Sequence, residues 1–118
     1  MQYENALTVS ELTVQIKTLI ESSYSSVIVR GEISNFTHHS SGHMYFTMKD
    51  KLSELRAVMF KGKNNSLSFT PKNGTDVILQ GKLSVYEARG QYQIIAQHME
   101  PAGIGALFLA FEELKKRL

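Results

Sequence analysis

The sequence predicts a mainly β domain, a small closed barrel of five strands with one helix before it and one after. Three observations carry this prediction. Five runs alternate apolar and polar residues with the period of two expected of half-buried strands. Turn chemistry separates the runs, most clearly at "PKNG". Finally, "VIVRGEISNF" at 27–36 is echoed by "VILQGKLSVY" at 77–86, with Val, Ile, Gly and Ser identical. Each echo carries a mid-strand glycine, the mark of a bulge or a sharp bend. Long bent strands at both ends of a five-strand series suit a closed barrel. Chance similarity of two strands is the competing explanation of the echo.

The elements follow in order. "TVSELTVQIKTLIES" reads as a helix, with Thr8 and Glu11 forming a capping box and Ser10 as a rival N-cap. Leu12, Ile16, Leu19 and Ile20 share one face of it. The strands are expected at 26–34, 43–50, 54–60, 76–86 and 91–99. Val27, Val29 and Ile33 point one way in the first, opposite Arg30, Glu32 and Ser34. Met44, Phe46 and Met48 oppose Tyr45, Thr47 and Lys49 in the second. The third is ambiguous, because Leu55, Ala57 and Met59 alternate with Arg56, Val58 and Phe60. In the fourth, Val77, Leu79, Leu83 and Val85 face inward. A short helical turn is expected near "NNSLSF", between the third and fourth strands. "GIGALFLAFEELKKRL" reads as a closing helix with Leu107, Phe111, Leu114 and Leu118 on one face. It stops without a glycine cap or a proline, which points to a piece of a longer protein. Residues 1–102 are thus expected to form the barrel domain, and 103–118 the start of a helix leading to a further domain.

Composition narrows the function classes. With 118 residues, one domain is expected, and 42% hydrophobic content supports a core. Cysteine is absent, which removes disulfides, thiolate metal sites and a cysteine nucleophile. No stretch reads as a signal peptide or approaches a membrane span, and a cytoplasmic location is expected. Net charge is +2, but residues 61–90 carry five cations (Lys61, Lys63, Lys72, Lys82, Arg89) against Asp76 and Glu87. A locally basic segment suits a polyanion, as does an ordinary solvated face.

Five strands with a connection between the third and fourth describe an OB-fold barrel. In that fold the surface of strands two and three binds oligonucleotides, flanked by the one–two and four–five loops. Here those loops are "THHSSG" and "EARG". Phe36, Tyr45 and Tyr86 are candidates to stack on bases, although strand-end aromatics also plug barrel ends. Arg30, Lys49, Arg56, Lys61, Lys63 and Arg89 are candidates to meet phosphates, provided they converge on one face. Asn35, His43 and Thr47 complete the expected binding set. Three imidazoles (His38, His39, His43) can hold zinc, but adjacent extended residues point apart and no carboxylate is placed to help. No metal or other cofactor is expected. "GIGALF" lacks both the third glycine of a dinucleotide fingerprint and the Gly-Lys-Ser/Thr of a P-loop, so it reads as a helix lead-in. No carboxylate pair or Ser-His-Asp set suggests catalysis within the chain.

"VIVRGEISNF", "SGHMYFTMKD", "VILQGKLSVYEARGQYQI" and "EPAGIGALFLAFEELKKRL", in this order and spacing, resemble the N-terminal domain of the exodeoxyribonuclease VII large-subunit family. The resemblance runs from "LTVSEL" to the last residue. It implies an OB-fold that captures single-stranded DNA for a separate nuclease domain, which degrades the strand from both ends without a required divalent metal. It also implies a small partner subunit, engaged through regions outside this chain. The matching pattern falls on Gly42, His43, Tyr45, Phe46, Lys49 and Asp50, and does not include His38 and His39. A protein-interaction domain and a tRNA-binding module are the alternatives.

Overall fold

The computed structural model describes residues 3–102, so the expected helix at 103–118 lies outside them. The elements are α1 (Val9–Ser23), β1 (Val27–His38), β2 (Met44–Lys49), β3 (Glu54–Met59), α2 (Lys61–Asn64), β4 (Asp76–Tyr86) and β5 (Gln91–Pro101). The strands close into a barrel in the order β1-β2-β3-β5-β4, and β4 returns to pair with β1. All pairs are antiparallel except β3 with β5. This is the five-stranded OB topology expected from the sequence.

Closure depends on two long strands, each shared between two partners. β1 pairs with β4 through Val27–Glu32 and with β2 from Glu32 onward. β4 pairs with β1 over its first half and with β5 along its length. The echoed glycines sit where this sharing bends the chain. A Cβ on Gly81 would lie 2.3 Å from the Ile95 carbonyl oxygen, so only glycine lets β5 approach there. The β4–β5 register shifts at that point.

The interior is filled by Ile33, Phe46, Leu79 and Ile94 with the methionines Met44, Met48, Met59 and Met99. Unbranched thioether side chains fill the irregular space of a small, strongly curved barrel. The ambiguity of β3 resolves here. Ala57 and Met59 join the core, with Leu55 packed against it. Val58 is buried too, but on the opposite face, as the floor of a surface groove.

The largest departures from the expected bounds are in β1 and α2. β1 runs on to His38, four residues past the expected end, and α2 starts at Lys61, earlier than expected. α1 carries the expected capping box. Thr8 Oγ1 accepts the Glu11 N–H at 3.0 Å, and the Thr8 N–H donates to the Glu11 carboxylate at 3.1 Å. Its apolar face is not covered, however. Leu12, Ile16 and Leu19 remain exposed, while Thr13, Lys17, Ile20 and Glu21 are half-buried on the side where the helix packs mainly along β4. Lys17 donates to Glu87 at 3.0 Å, and the Leu83 N–H donates to the Tyr24 carbonyl at 3.0 Å.

Candidate nucleic-acid interface

An open groove of about 1140 Å³ crosses the outer face of β2, β3 and β5 and ends at the β4–β5 hairpin. Its floor is Ala57 and Val58; its walls carry rings, amides and two arginines. Alternation places these side chains. Tyr45 and Thr47 project outward between the buried Met44, Phe46 and Met48. Arg56 projects from the centre of β3, level with Thr47 on one side and Gln93 on the other. Tyr86 closes β4 on its outward face, and the turn after it presents Arg89. That turn closes when the Gly90 N–H donates to the Tyr86 carbonyl at 2.9 Å, with Gly90 at φ 62°.

Six of the twelve expected residues therefore line one groove: Asn35, Tyr45, Thr47, Arg56, Tyr86 and Arg89. Tyr45 is 41% exposed and Tyr86 50%, so both rings are available for stacking. The remaining six lie elsewhere, each for a local reason. Arg30 is held by Asp76, with Nη2 2.6 Å from Oδ2, and this pairing raises the guanidinium pKa. Lys49 lies in the same small cleft as Arg30, separate from the groove. Lys61 and Lys63 belong to α2. The expected cations do not share a single face.

Phe36 differs from its echo partner because of a β-bulge. The β1–β2 register shifts between Ser34 and Thr37, which gives β1 one extra residue. Asn35 takes up the strain at φ 52°, a left-handed conformation that asparagine tolerates better than most residues. The Phe36 N–H donates to Asn73 Oδ1 at 2.9 Å. One extra residue reverses the alternation. Phe36 turns inward against Phe46, with ring centroids 6.0 Å apart, and Thr37 faces the groove instead. β4 has no such insertion before Tyr86, so that ring stays outside.

The histidines do not converge; among the described residues no group of three or more His, Asp or Glu side chains is arranged to hold a metal. His38 Nε2 lies 3.2 Å from the Gly42 carbonyl, and His39 Nδ1 pairs with Ser41. His43 Nδ1 accepts the Lys61 N–H at 3.0 Å, which satisfies a free donor at the start of α2. Its ring packs edge-on against Phe60, with centroids 5.2 Å apart.

Besides its floor, the groove has five polar or aromatic lining residues outside the expected set: Thr37, Glu54, Gln91, Tyr92 and Gln93. The run "QYQ" at 91–93 carried the available signal, three hydrophilic or amphipathic positions directly after the hairpin.

A family model for an OB-fold nucleic acid binding domain matches residues 7–100, nearly the whole described chain. The chain belongs to the family of OB-fold nucleic acid binding domains. Within it, the chain is 53% identical over 118 residues to the exodeoxyribonuclease 7 large subunit of Halalkalibacterium halodurans, covering 98% of this chain and 26% of that protein. It is 56% identical over 114 residues to the same subunit of Bacillus mycoides, covering 95% and 25%. The resemblance drawn from the sequence motifs is thus borne out. The chain spans about a quarter of the length of these relatives. Among solved structures, this OB-fold domain is similar to a chain of a replication protein A heterotrimer bound to ssDNA. That match has a TM-score of 0.52 at 14% identity and covers 65% of this chain and 57% of that one. It is also similar to asparaginyl-tRNA synthetase from Pyrococcus horikoshii, with a TM-score of 0.54 at 13% identity, covering 75% and 21%. These two likenesses show the fold.

Proposed function

We propose that the β2–β3–β5 groove binds single-stranded DNA and holds it for a nuclease domain of the exodeoxyribonuclease VII large subunit, of which residues 1–102 form the capture domain. One observation carries this reading: two outward arginines and three exposed tyrosine rings line a single open groove. Arg56 and Arg89 are placed to neutralise phosphates. Tyr45, Tyr86 and Tyr92 offer flat apolar faces that any base can stack on. A duplex presents phosphates but hides its base faces, so the rings favour unpaired strands.

The dimensions suit the role. Tyr45 and Tyr86 are three strands apart around the barrel and offset by about four residues along them. At ~4.8 Å per strand and ~3.3 Å per residue, the rings stand on the order of 20 Å apart. That span suits a site at the short end of the roughly 4–16 nucleotides an OB-fold covers. The domain captures and positions the strand; hydrolysis to oligonucleotides belongs to the nuclease domain of the large subunit. A small subunit completes the complex through other regions, and the assembly works in the cytoplasm. Among the described residues no helix is long and apolar enough to cross a membrane.

The experiment is fluorescence anisotropy of labelled single-stranded DNA, duplex DNA and single-stranded RNA with the 118-residue chain. Saturable binding that ranks single-stranded DNA first is expected. Absence of binding favours a protein-interaction domain, and a clear RNA preference favours a tRNA-binding module.

A further inference from the structure

The groove contains one acidic side chain, Glu54, among two arginines. A carboxylate in a polyanion site needs a reason, because it repels phosphates. Within the described residues Glu54 is not tied up in the protein. The ion pairs are Lys17–Glu87 and Arg30–Asp76, and no side-chain hydrogen bond involves Glu54. Lys49 is its cross-strand partner on β2 but forms no ion pair with it.

The register gives Glu54 its neighbours. Arg56 is level with Gln93 in the parallel β3–β5 pair, which sets Glu54 level with Gln91. Gln91 is in turn paired with Tyr86. Carboxylate, amide and exposed ring thus form one row across β3, β5 and β4. Arg56, two residues along β3 on the same outer face, and Arg89, in the hairpin after Tyr86, are the cations of the groove.

We propose that Glu54 reads guanine at one position of the bound strand, with Tyr86 as its stacking platform. This rests on the groove being a single-strand site. A carboxylate only accepts hydrogen bonds, and its two oxygens match two parallel donors. Guanine alone among the four bases presents two adjacent donors on its Watson–Crick edge, the N1–H and the N2 amino group. Thymine offers one N–H between two carbonyl oxygens. Adenine and cytosine offer an amino group beside a ring-nitrogen acceptor, which faces the carboxylate unfavourably. The groove therefore adds a base preference to stacking that by itself tolerates every base.

The test compares anisotropy titrations of four strands: oligo-dT, and the same strand with one central thymine replaced by guanine, inosine or adenine. Guanine is expected to tighten binding about five- to tenfold over oligo-dT, the low end of what a bidentate base contact contributes. Inosine keeps the N1–H but lacks the N2 amino group, so it should lose most of that gain. Adenine controls for stronger purine stacking and should gain less than guanine. In Glu54→Ala, the guanine-to-adenine ratio should fall to near one. Equal binding of guanine, inosine and adenine strands overturns the proposal, as does a guanine preference that survives in Glu54→Ala. The inosine comparison needs no variant, so it decides the matter even if the substitution disturbs folding. Loss of binding to every strand would overturn the single-strand reading beneath it.

Discussion

Arg56→Ala isolates the electrostatic part of the proposed interface. Arg56 is exposed, sits at the centre of β3 and forms no ion pair among the described residues, so its removal should leave the barrel intact. Two cations line the groove and are available to phosphates: Arg56 and Arg89. Each phosphate neutralised on a single strand contributes about −0.7 to the slope of log affinity against log salt. The native slope should then be about −1.4 and the variant slope about −0.7. Across a tenfold rise in salt, the native chain should lose roughly 25-fold in affinity and the variant roughly fivefold. Anisotropy titrations at four or more salt concentrations measure both slopes, and a melting curve confirms the fold. Lys49→Ala is the comparison, since Lys49 lies in the separate cleft with Arg30 and should leave the slope unchanged. An unchanged slope in Arg56→Ala, or an equal loss in Lys49→Ala, would refute the assignment of phosphates to this groove.

Three further outcomes are expected. Tyr45→Ala should weaken single-strand binding by about 1–3 kcal/mol while leaving the melting temperature nearly unchanged, because the ring is 41% exposed. Phe46→Ala should do the reverse and cost about 3–5 kcal/mol of stability by chemical denaturation, since Phe46 is buried against Phe36. Acid should destabilise the domain through Asp50 and Glu11. The Leu52 and Ser53 N–H groups hold the Asp50 carboxyl pKa down, and the Thr8 N–H does the same for Glu11. A lowered folded-state pKa gives stability that is present above the unfolded value and lost as pH falls through the folded one. Melting temperature should therefore hold from neutral pH down toward the ordinary carboxylate range and then fall, with a shallower fall in Asp50→Asn.

The barrel was legible because its signals are local. Alternation in "HMYFTMKD" and "DVILQGKLSVY" depends only on neighbouring residues, and the observed inward faces match it. The echoed glycines also announced themselves, since bent strands need them wherever they occur. The groove was only half legible, because long-range pairing decides it. Tyr92 and Gln93 join Tyr45 and Arg56 only through the parallel β3–β5 closure, which no alternation reveals. Phe36 carried a misleading signal for a related reason. Its likeness to Tyr86 is real in sequence, but one extra residue at Asn35 reverses which way the ring points. The cations were scattered for a third reason: Arg30 finds Asp76, forty-six residues away in sequence, and spends its charge there.

The proposed single-strand site is one face of this barrel, the β2–β3–β5 groove. Titrating the isotope-labelled chain with short single-stranded DNA and following backbone amide shifts by NMR tests it directly. Shifts are expected to concentrate at Tyr45, Thr47, Arg56, Arg89 and Gln93, while Arg30 and Asp76 stay in place. Shifts centred on the Arg30–Lys49 cleft or on α1, or no shifts at all, would contradict this assignment.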